Sequence, residues 1–274
     1  MTSVASSPKP GNDGHRIADG DVLVVAQKIV SKSEHRLVAL ATVTPTDRAR
    51  QLADYTGRDP RLCQLYLDES QAVLEIIGRH VVTLDTRGLV DTSGGVDSSN
   101  AGVFEEGWAC LLPKDPDASA RRIRDRVREL TGTTVAVIVS DSLGQPYREG
   151  SARAAIGLAG IAGVEKPPPG DKDLFGNPSW GDVNRVDELA AAASTLMGQS
   201  SAAKPVVLIR GAHYTPDEKA TIRDLLVTVP LPDTDADLTH NQQHIVRMTY
   251  AGAPEDRRSA GAGSTRGSAS GRSR

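Results

Sequence analysis

Val135-Ala136-Val137-Ile138-Val139-Ser140-Asp141-Ser142-Leu143-Gly144 is the stretch that decides the fold. Its first five residues are apolar and mostly β-branched, as in a strand covered on both faces. The next five place an aspartate between two hydroxyl residues, just where that strand is expected to end. Asp21 to Ser31 reads as a second buried strand, with Val22-Leu23-Val24-Val25 near-continuously apolar, and it leads into Gln27-Lys28-Ile29-Val30-Ser31-Lys32. A second acidic segment is Gly94-Gly95-Val96-Asp97-Ser98-Ser99-Asn100. Aspartates and small hydroxyls at strand ends suit a hard cation and its phosphate cargo. An enzyme handling a nucleotide is therefore favoured over a passive binding module.

Composition bounds the rest. The chain has 274 residues, enough for one large domain or two modest ones with a real core. A formal charge of −3 gives no global pull toward nucleic acid or an anionic membrane. No apolar stretch approaches the roughly 20 residues of a spanning helix, and Met1 to Gly20 is polar without a signal-peptide core. The two cysteines, Cys63 and Cys110, form neither a disulfide framework nor a zinc site. These features predict a cytoplasmic protein without nucleic-acid or membrane partners. Aromatic residues are only 3% of the chain, so the core must come from Val, Leu, Ile and Ala.

Residues 1–18 read as a loose arm, 19–250 as the folded domain and 251–274 as a Ser/Gly/Arg tail too poor in apolar residues to fold. Helices are expected over Thr46–Tyr55 before Gly57, from Asp59-Pro60 onward, and over Ala118–Leu130 with Ile123, Val127 and Leu130 buried. Further helices are expected over Val186–Met197, from Thr215-Pro216-Asp217-Glu218, and over about Leu238–Tyr250. Strands are expected at Val73–Ile77, Val81–Leu84 and Pro205–Ile209. The elements do not alternate as βαβ units, which predicts an α+β fold with mixed sheets and packed helices. Gly157, Gly160 and Gly163 read as close packing of small residues, not as a dinucleotide fingerprint.

Each candidate site residue has a plain alternative. Asp141 suits a divalent metal, magnesium or manganese, or it caps a turn, since Ser-Asp-Ser-x-Gly is also turn chemistry. Asp97 is a second metal aspartate, in a loop whose Gly94 and Gly95 permit the backbone to wrap close to a ligand, or it is the acid of a tight loop with an Asx turn. Lys28 and Lys32 share a face whether that stretch is helical or extended, and they either clamp a polyphosphate or are simply solvated. Arg148 and Arg153 either neutralise a transferring phosphoryl group or form surface salt bridges. No P-loop, zincin pattern or nucleophile elbow is present.

An ordered set of segments resembles the coenzyme F(420)-0:L-glutamate ligase family. The set runs from Asp19-Gly20-Asp21-Val22-Leu23-Val24-Val25 through Val30-Ser31-Lys32, then Gly95-Val96-Asp97-Ser98-Ser99-Asn100. It continues with Ser140-Asp141-Ser142-Leu143-Gly144, Arg148 and Gly150, then Ala155-Ile156-Gly157-Leu158-Ala159-Gly160 and Asp173-Leu174-Phe175-Gly176. Asp187-Glu188-Leu189-Ala190-Ala191-Ala192, Leu196-Met197-Gly198-Gln199 and Arg210-Gly211 complete it.

The resemblance implies a GTP- and metal-dependent enzyme that adds L-glutamate to F(420)-0 through an acyl phosphate, on an intertwined homodimer. It implies metal-binding roles for Asp97, Asp141, Ser142 and Gln199. It implies nucleotide contacts at Gln27, Lys28, Lys32, Asn100 and the turn formed by Met197, Gly198, Gln199, Ser200, Ser201, Ala202, Ala203 and Lys204. Lys32 and Arg148 are the expected catalytic side chains. Mg²⁺ or Mn²⁺ is the expected ion, with a monovalent cation as a further candidate. Residues 1–18 depart from the pattern, lacking the expected Leu-Pro…Gly-Asp-Asp-Leu segment. A metal-dependent nucleotide phosphohydrolase and a non-catalytic nucleotide-binding homologue are the alternatives.

Overall fold

The structure, a computed structural model, describes residues 16–102, 107–144, 150–179 and 181–228. Its centre is a parallel pair. Strand β1 (Val22–Ala26) lies beside β7 (Ala136–Gly144), with Val22 opposite Ala136 and Ala26 opposite Ser140. Strand β11 (Val206–Ile209) pairs antiparallel with the other edge of β1, and β8 (Ser151–Ala159) forms a hairpin with β7. The sheet order is β11-β1-β7-β8. Val22, Val24, Val137, Ile138 and Val139 are fully buried, as continuous apolar strands require.

Two helices pack on this sheet, α4 (Pro116–Thr131) and α5 (Arg185–Met197). Each begins at a side-chain cap. Asp115 Oδ1 accepts from the Ala118 N–H at 2.8 Å, and Asn184 Oδ1 accepts from the Asp187 N–H at 3.1 Å. A second apolar cluster forms around Leu40, Leu52, Cys63, Tyr66 and Val81. It unites helices α2 (Asp47–Thr56) and α3 (Pro60–Asp68) with the meander β3 (Ser70–Ile77), β4 (His80–Asp85) and β5 (Val90–Thr92). The ribbon β2 (Leu37–Ala39) with β6 (Trp108–Cys110) completes this part. A short pair, β9 (Val164–Glu165) with β10 (Val183–Asn184), precedes α5. The architecture is α+β, and both cysteines are buried and free.

Four expectations are corrected. The strand from Asp21 stops at Ala26, and Gln27–Ser33 is a short helix, α1. The strand begun at Val135 does not end before Asp141 but runs to Gly144, because β8 pairs along its whole length and places Ala154 opposite Asp141. Pairing thus overrides local turn chemistry. Leu130 is 67% exposed, because α4 turns Ala120 and Arg124 inward; Arg124 donates to the Val135 carbonyl and to both oxygens of Glu218. No helix opens at Thr215, whose carbonyl, the acceptor a first helical turn would use, accepts instead from the Ala162 N–H. A single 3₁₀ turn follows at Ile222–Leu225. The expected helix at 238–250, the tail 251–274 and most of the arm lie outside the described residues.

Gly157 lies where β8 meets α4. A Cβ there would stand 2.4 Å from the Pro116 carbonyl carbon, so backbone rather than a movable side chain blocks it. Gly157→Ala is therefore expected to lower stability by about 2 kcal/mol, read as a lower urea midpoint with an unchanged slope.

Asp91 is 3% exposed. Its Oδ1 accepts from the Thr83 hydroxyl at 2.6 Å, and its Oδ2 has no partner. Burial pushes its carboxyl up to about 8, with Asp85 adding to the rise against Thr83 and Arg87. The fold thus holds the neutral acid, while the unfolded chain ionises near pH 4. Unfolding releases a proton between about pH 4 and 8, so stability falls as pH rises through that window, by up to about 1.4 kcal/mol per unit. Asp91→Asn is expected to remove this slope. Chemical denaturation from pH 5 to 9 should show the variant gaining on the parent up to about pH 8, then running parallel.

Candidate functional site

A cavity of about 870 Å³ opens at the carboxyl ends of β1 and β7, within the size range of small-molecule sites. Parallel pairing creates it, because α1 leaves β1 at the point where Asp141 follows Ser140 on β7. Helix α1 contributes Gln27, Lys28 and Lys32, with the two lysines one turn apart. Asp97, Ser99 and Asn100 come from the loop before β6, Asp141 and Ser142 from β7, and Arg153 from β8. The turn between α5 and β11 supplies every residue from Met197 to Lys204. All the candidate residues named from sequence therefore line one cavity except Arg148, which lies outside the described residues.

Local chemistry fixes these groups. The Ser31 hydroxyl donates to Gln27 Oε1 at 2.8 Å, leaving the buried Gln27 Nε2 without a partner. Asp97 exchanges both backbone hydrogen bonds with Cys110, at 2.7 and 3.0 Å, which ties its loop to β6. Its Oδ1 accepts from the Ser99 N–H at 2.6 Å. The Lys28 ammonium lies 2.5 Å from Asp97 Oδ2 and donates to the Ser99 carbonyl at 2.9 Å. Lys32 is exposed and carries no ion pair among the described residues. Ser99 was not singled out by sequence; it sits inside the quoted acidic segment, but spacing does not reveal where a carbonyl points.

Gly94 and Gly95 depart from their expected role. Both are buried with φ of 63° and 68°, and a Cβ on Gly95 would lie 2.3 Å from Leu112 Cδ1. The backbone wraps closely around the protein's own core there, not around a ligand.

Burial pushes the Asp141 carboxyl up to about 6. The Asp97 carboxylate acts in the same direction, against the Ser142 N–H, Lys28 and Arg153. Asp141 is thus a carboxyl short of countercharge, beside a second carboxylate. Among the described residues no group of three or more His, Cys, Asp and Glu side chains comes together. The donors at hand are two carboxylates, the Ser142 hydroxyl and the Gln199 amide. That all-oxygen set with few anions fits magnesium or manganese completed by water and phosphate oxygens, and it does not fit zinc.

Three non-glycine residues on the cavity rim have positive φ: Asn100 at 49°, Ser200 at 56° and Ala203 at 53°. Such strain persists only where the surroundings impose it. Here Asn100 Nδ2 donates to the Ser200 carbonyl at 3.0 Å and clasps the aspartate loop to the 197–204 turn.

A family model described as F(420)-0:gamma-glutamyl ligase matches residues 3–211. The coenzyme F(420):L-glutamate ligase of Methanothermobacter thermautotrophicus is 39% identical over 201 residues, covering 72% of this chain and 77% of that protein. The ligase of the same name from Methanocaldococcus jannaschii is 39% identical over 211 residues, covering 77% and 82%. That from Archaeoglobus fulgidus is 39% identical over 199 residues, covering 72% and 78%. The chain belongs to the F(420)-0:gamma-glutamyl ligase family. The family match reaches into the arm and ends at Gly211, next to Arg210. Arg210 donates to both oxygens of Asp21 at 2.8 Å and holds that carboxyl below the usual range.

Asn100→Gly keeps the positive φ and removes the clasp. It is expected to speed hydrogen exchange across residues 199–204, because the hydrogen bond that ties this turn to the aspartate loop is lost. Unchanged exchange in that turn would show that it is held by other contacts.

Proposed function

We propose that this protein is a GTP- and divalent-metal-dependent F(420)-0:L-glutamate ligase acting in coenzyme F(420) biosynthesis. The observation that carries the reading is the single cavity holding Asp97, Asp141, Lys28, Lys32 and the 197–204 turn. In this reading the 197–204 turn, Gln27 and Asn100 hold the nucleotide. Lys28 and Lys32 clamp its polyphosphate, and Lys32 stabilises charge developing on the γ-phosphoryl group. Asp97, Asp141, Ser142 and Gln199 would hold Mg²⁺ or Mn²⁺, whose chemistry is charge neutralisation on phosphate oxygens.

The reaction has two stages. A carboxylate oxygen of F(420)-0 attacks the γ-phosphorus, the bond to the β–γ bridging oxygen breaks, and GDP leaves with the electron pair. The glutamate amine then attacks the acyl carbon, the acyl–phosphate bond breaks, phosphate leaves, and the amine's surplus proton passes to solvent or a base.

A homodimer belongs to the same proposal. Leu174 and Phe175 support it, being 99% and 89% exposed on a turn pinned by Asp173, which accepts from the Phe175 and Asn177 N–H groups. No helix among the described residues is long and apolar enough to cross a membrane.

The test is mass spectrometry of F(420)-0 incubated with the protein, GTP, L-glutamate and Mg²⁺ or Mn²⁺. A glutamyl adduct that requires GTP supports the ligase. GTP turnover that ignores glutamate and F(420)-0 would identify a phosphohydrolase instead. Asp141→Asn is expected to reduce product formation at least 1,000-fold with a melting temperature at neutral pH no lower than the parent's, since a catalytic electrostatic group is worth several kcal/mol and the buried carboxyl itself lowers stability. Near-normal turnover would remove Asp141 from the metal site.

A further inference from the structure

The cavity contains a cation that neither the nucleotide reading nor the metal reading uses. Arg153 is half-buried on β8, opposite Ser142 of β7, and lines the cavity beside Asp141. Its Nη1 donates to the Ser140 carbonyl at 3.3 Å. Its Nε–H is buried and has no partner, and among the described residues the side chain makes no ion pair. A guanidinium offers a rigid fork of donors suited to a carboxylate. An arginine that lines a ligand-sized cavity with one buried donor unpaired is costly to hold unless an anion offsets its charge. Burial lowers its pKa against the pull of Asp141, consistent with that shortage of negative charge.

Position selects which anion. The sheet order β11-β1-β7-β8 lays the cavity out as a sequence of groups. The 197–204 turn precedes β11, Lys28 and Lys32 follow β1, Asp141 and Ser142 lie on β7, and Arg153 lies on β8. The nucleotide-holding groups are thus on one side of the aspartate and Arg153 is on the other. Phosphoryl transfer proceeds in line, with leaving group and attacking oxygen on opposite sides of the transferred phosphorus.

Building on the ligase reading, we infer that Arg153 binds the carboxylate of the acyl acceptor and aims its oxygen at the phosphoryl group, so the cavity selects an anionic acid as acceptor. Arg153 is then a substrate-binding residue at the acceptor end, not a second phosphate clamp.

The test compares wild type, Arg153→Lys and Arg153→Gln by calorimetric binding of F(420)-0 and, separately, of GTP with Mg²⁺, with melting temperature as the check on folding. Arg153→Gln is expected to lose about 10- to 100-fold in F(420)-0 affinity, the worth of a charge-assisted hydrogen bond, with GTP affinity within about twofold of wild type. Arg153→Lys should recover part of the loss, and KM for F(420)-0 should rise more than that for GTP. Equal F(420)-0 affinity in wild type and Arg153→Gln would overturn the assignment while leaving the ligase reading intact. Loss of GTP affinity with F(420)-0 affinity retained would make Arg153 a phosphate ligand and overturn it as well. A wild type that neither binds nor glutamylates F(420)-0 would overturn the ligase reading, and this inference with it.

Discussion

The parallel pairing of β1 with β7 is the constraint on which everything else hangs. Setting Val22 opposite Ala136 brings Ala26 opposite Ser140, so α1 begins beside the aspartate that follows Ser140. The lysines of α1 and the carboxylate of β7 are brought together by the same burial that stabilises the core. On one flank, β11 carries the 197–204 turn to the cavity rim; on the other, β8 carries Arg153.

The site is built around charges that do not balance internally. Lys28 and Asp97 satisfy each other, while Asp141, Gln27 Nε2 and Arg153 Nε are left short of partners in a partly enclosed space. Groups in that condition lower stability, and they persist where a ligand completes them. A cation supplies what Asp141 lacks, and anions supply what the unpaired donors lack. In the function proposed above, a metal–nucleotide complex with an acidic acceptor would satisfy both at once.

Much of this was legible in the sequence because it rests on local rules. Thr46, Asp59 and Gly57 mark helix ends by capping chemistry, and the structure uses them so. The apolar runs at Val22 and Val135 marked buried strands, and the ordered acidic segments pointed to the family. The misreadings are long-range effects. Whether Ser140-Asp141-Ser142 turns or continues depends on β8, which arrives later in the chain. Leu130 and Arg124 exchange roles because Glu218, nearly a hundred residues away, pairs with Arg124. Gly94-Gly95 resembled a ligand cradle because close approach to Leu112 and close approach to a ligand demand the same residue.

The central claim is that Asp97 and Asp141, distant in sequence, share one cation that anchors a nucleotide. A crystal structure of the protein with GTP and Mn²⁺, with the anomalous signal of manganese mapped directly, tests it most simply. The account predicts anomalous density between the Asp97 and Asp141 carboxylates, with triphosphate oxygens completing the coordination on the side of Lys28 and Lys32. Nucleotide bound with manganese elsewhere, or coordinated by neither aspartate, would contradict it.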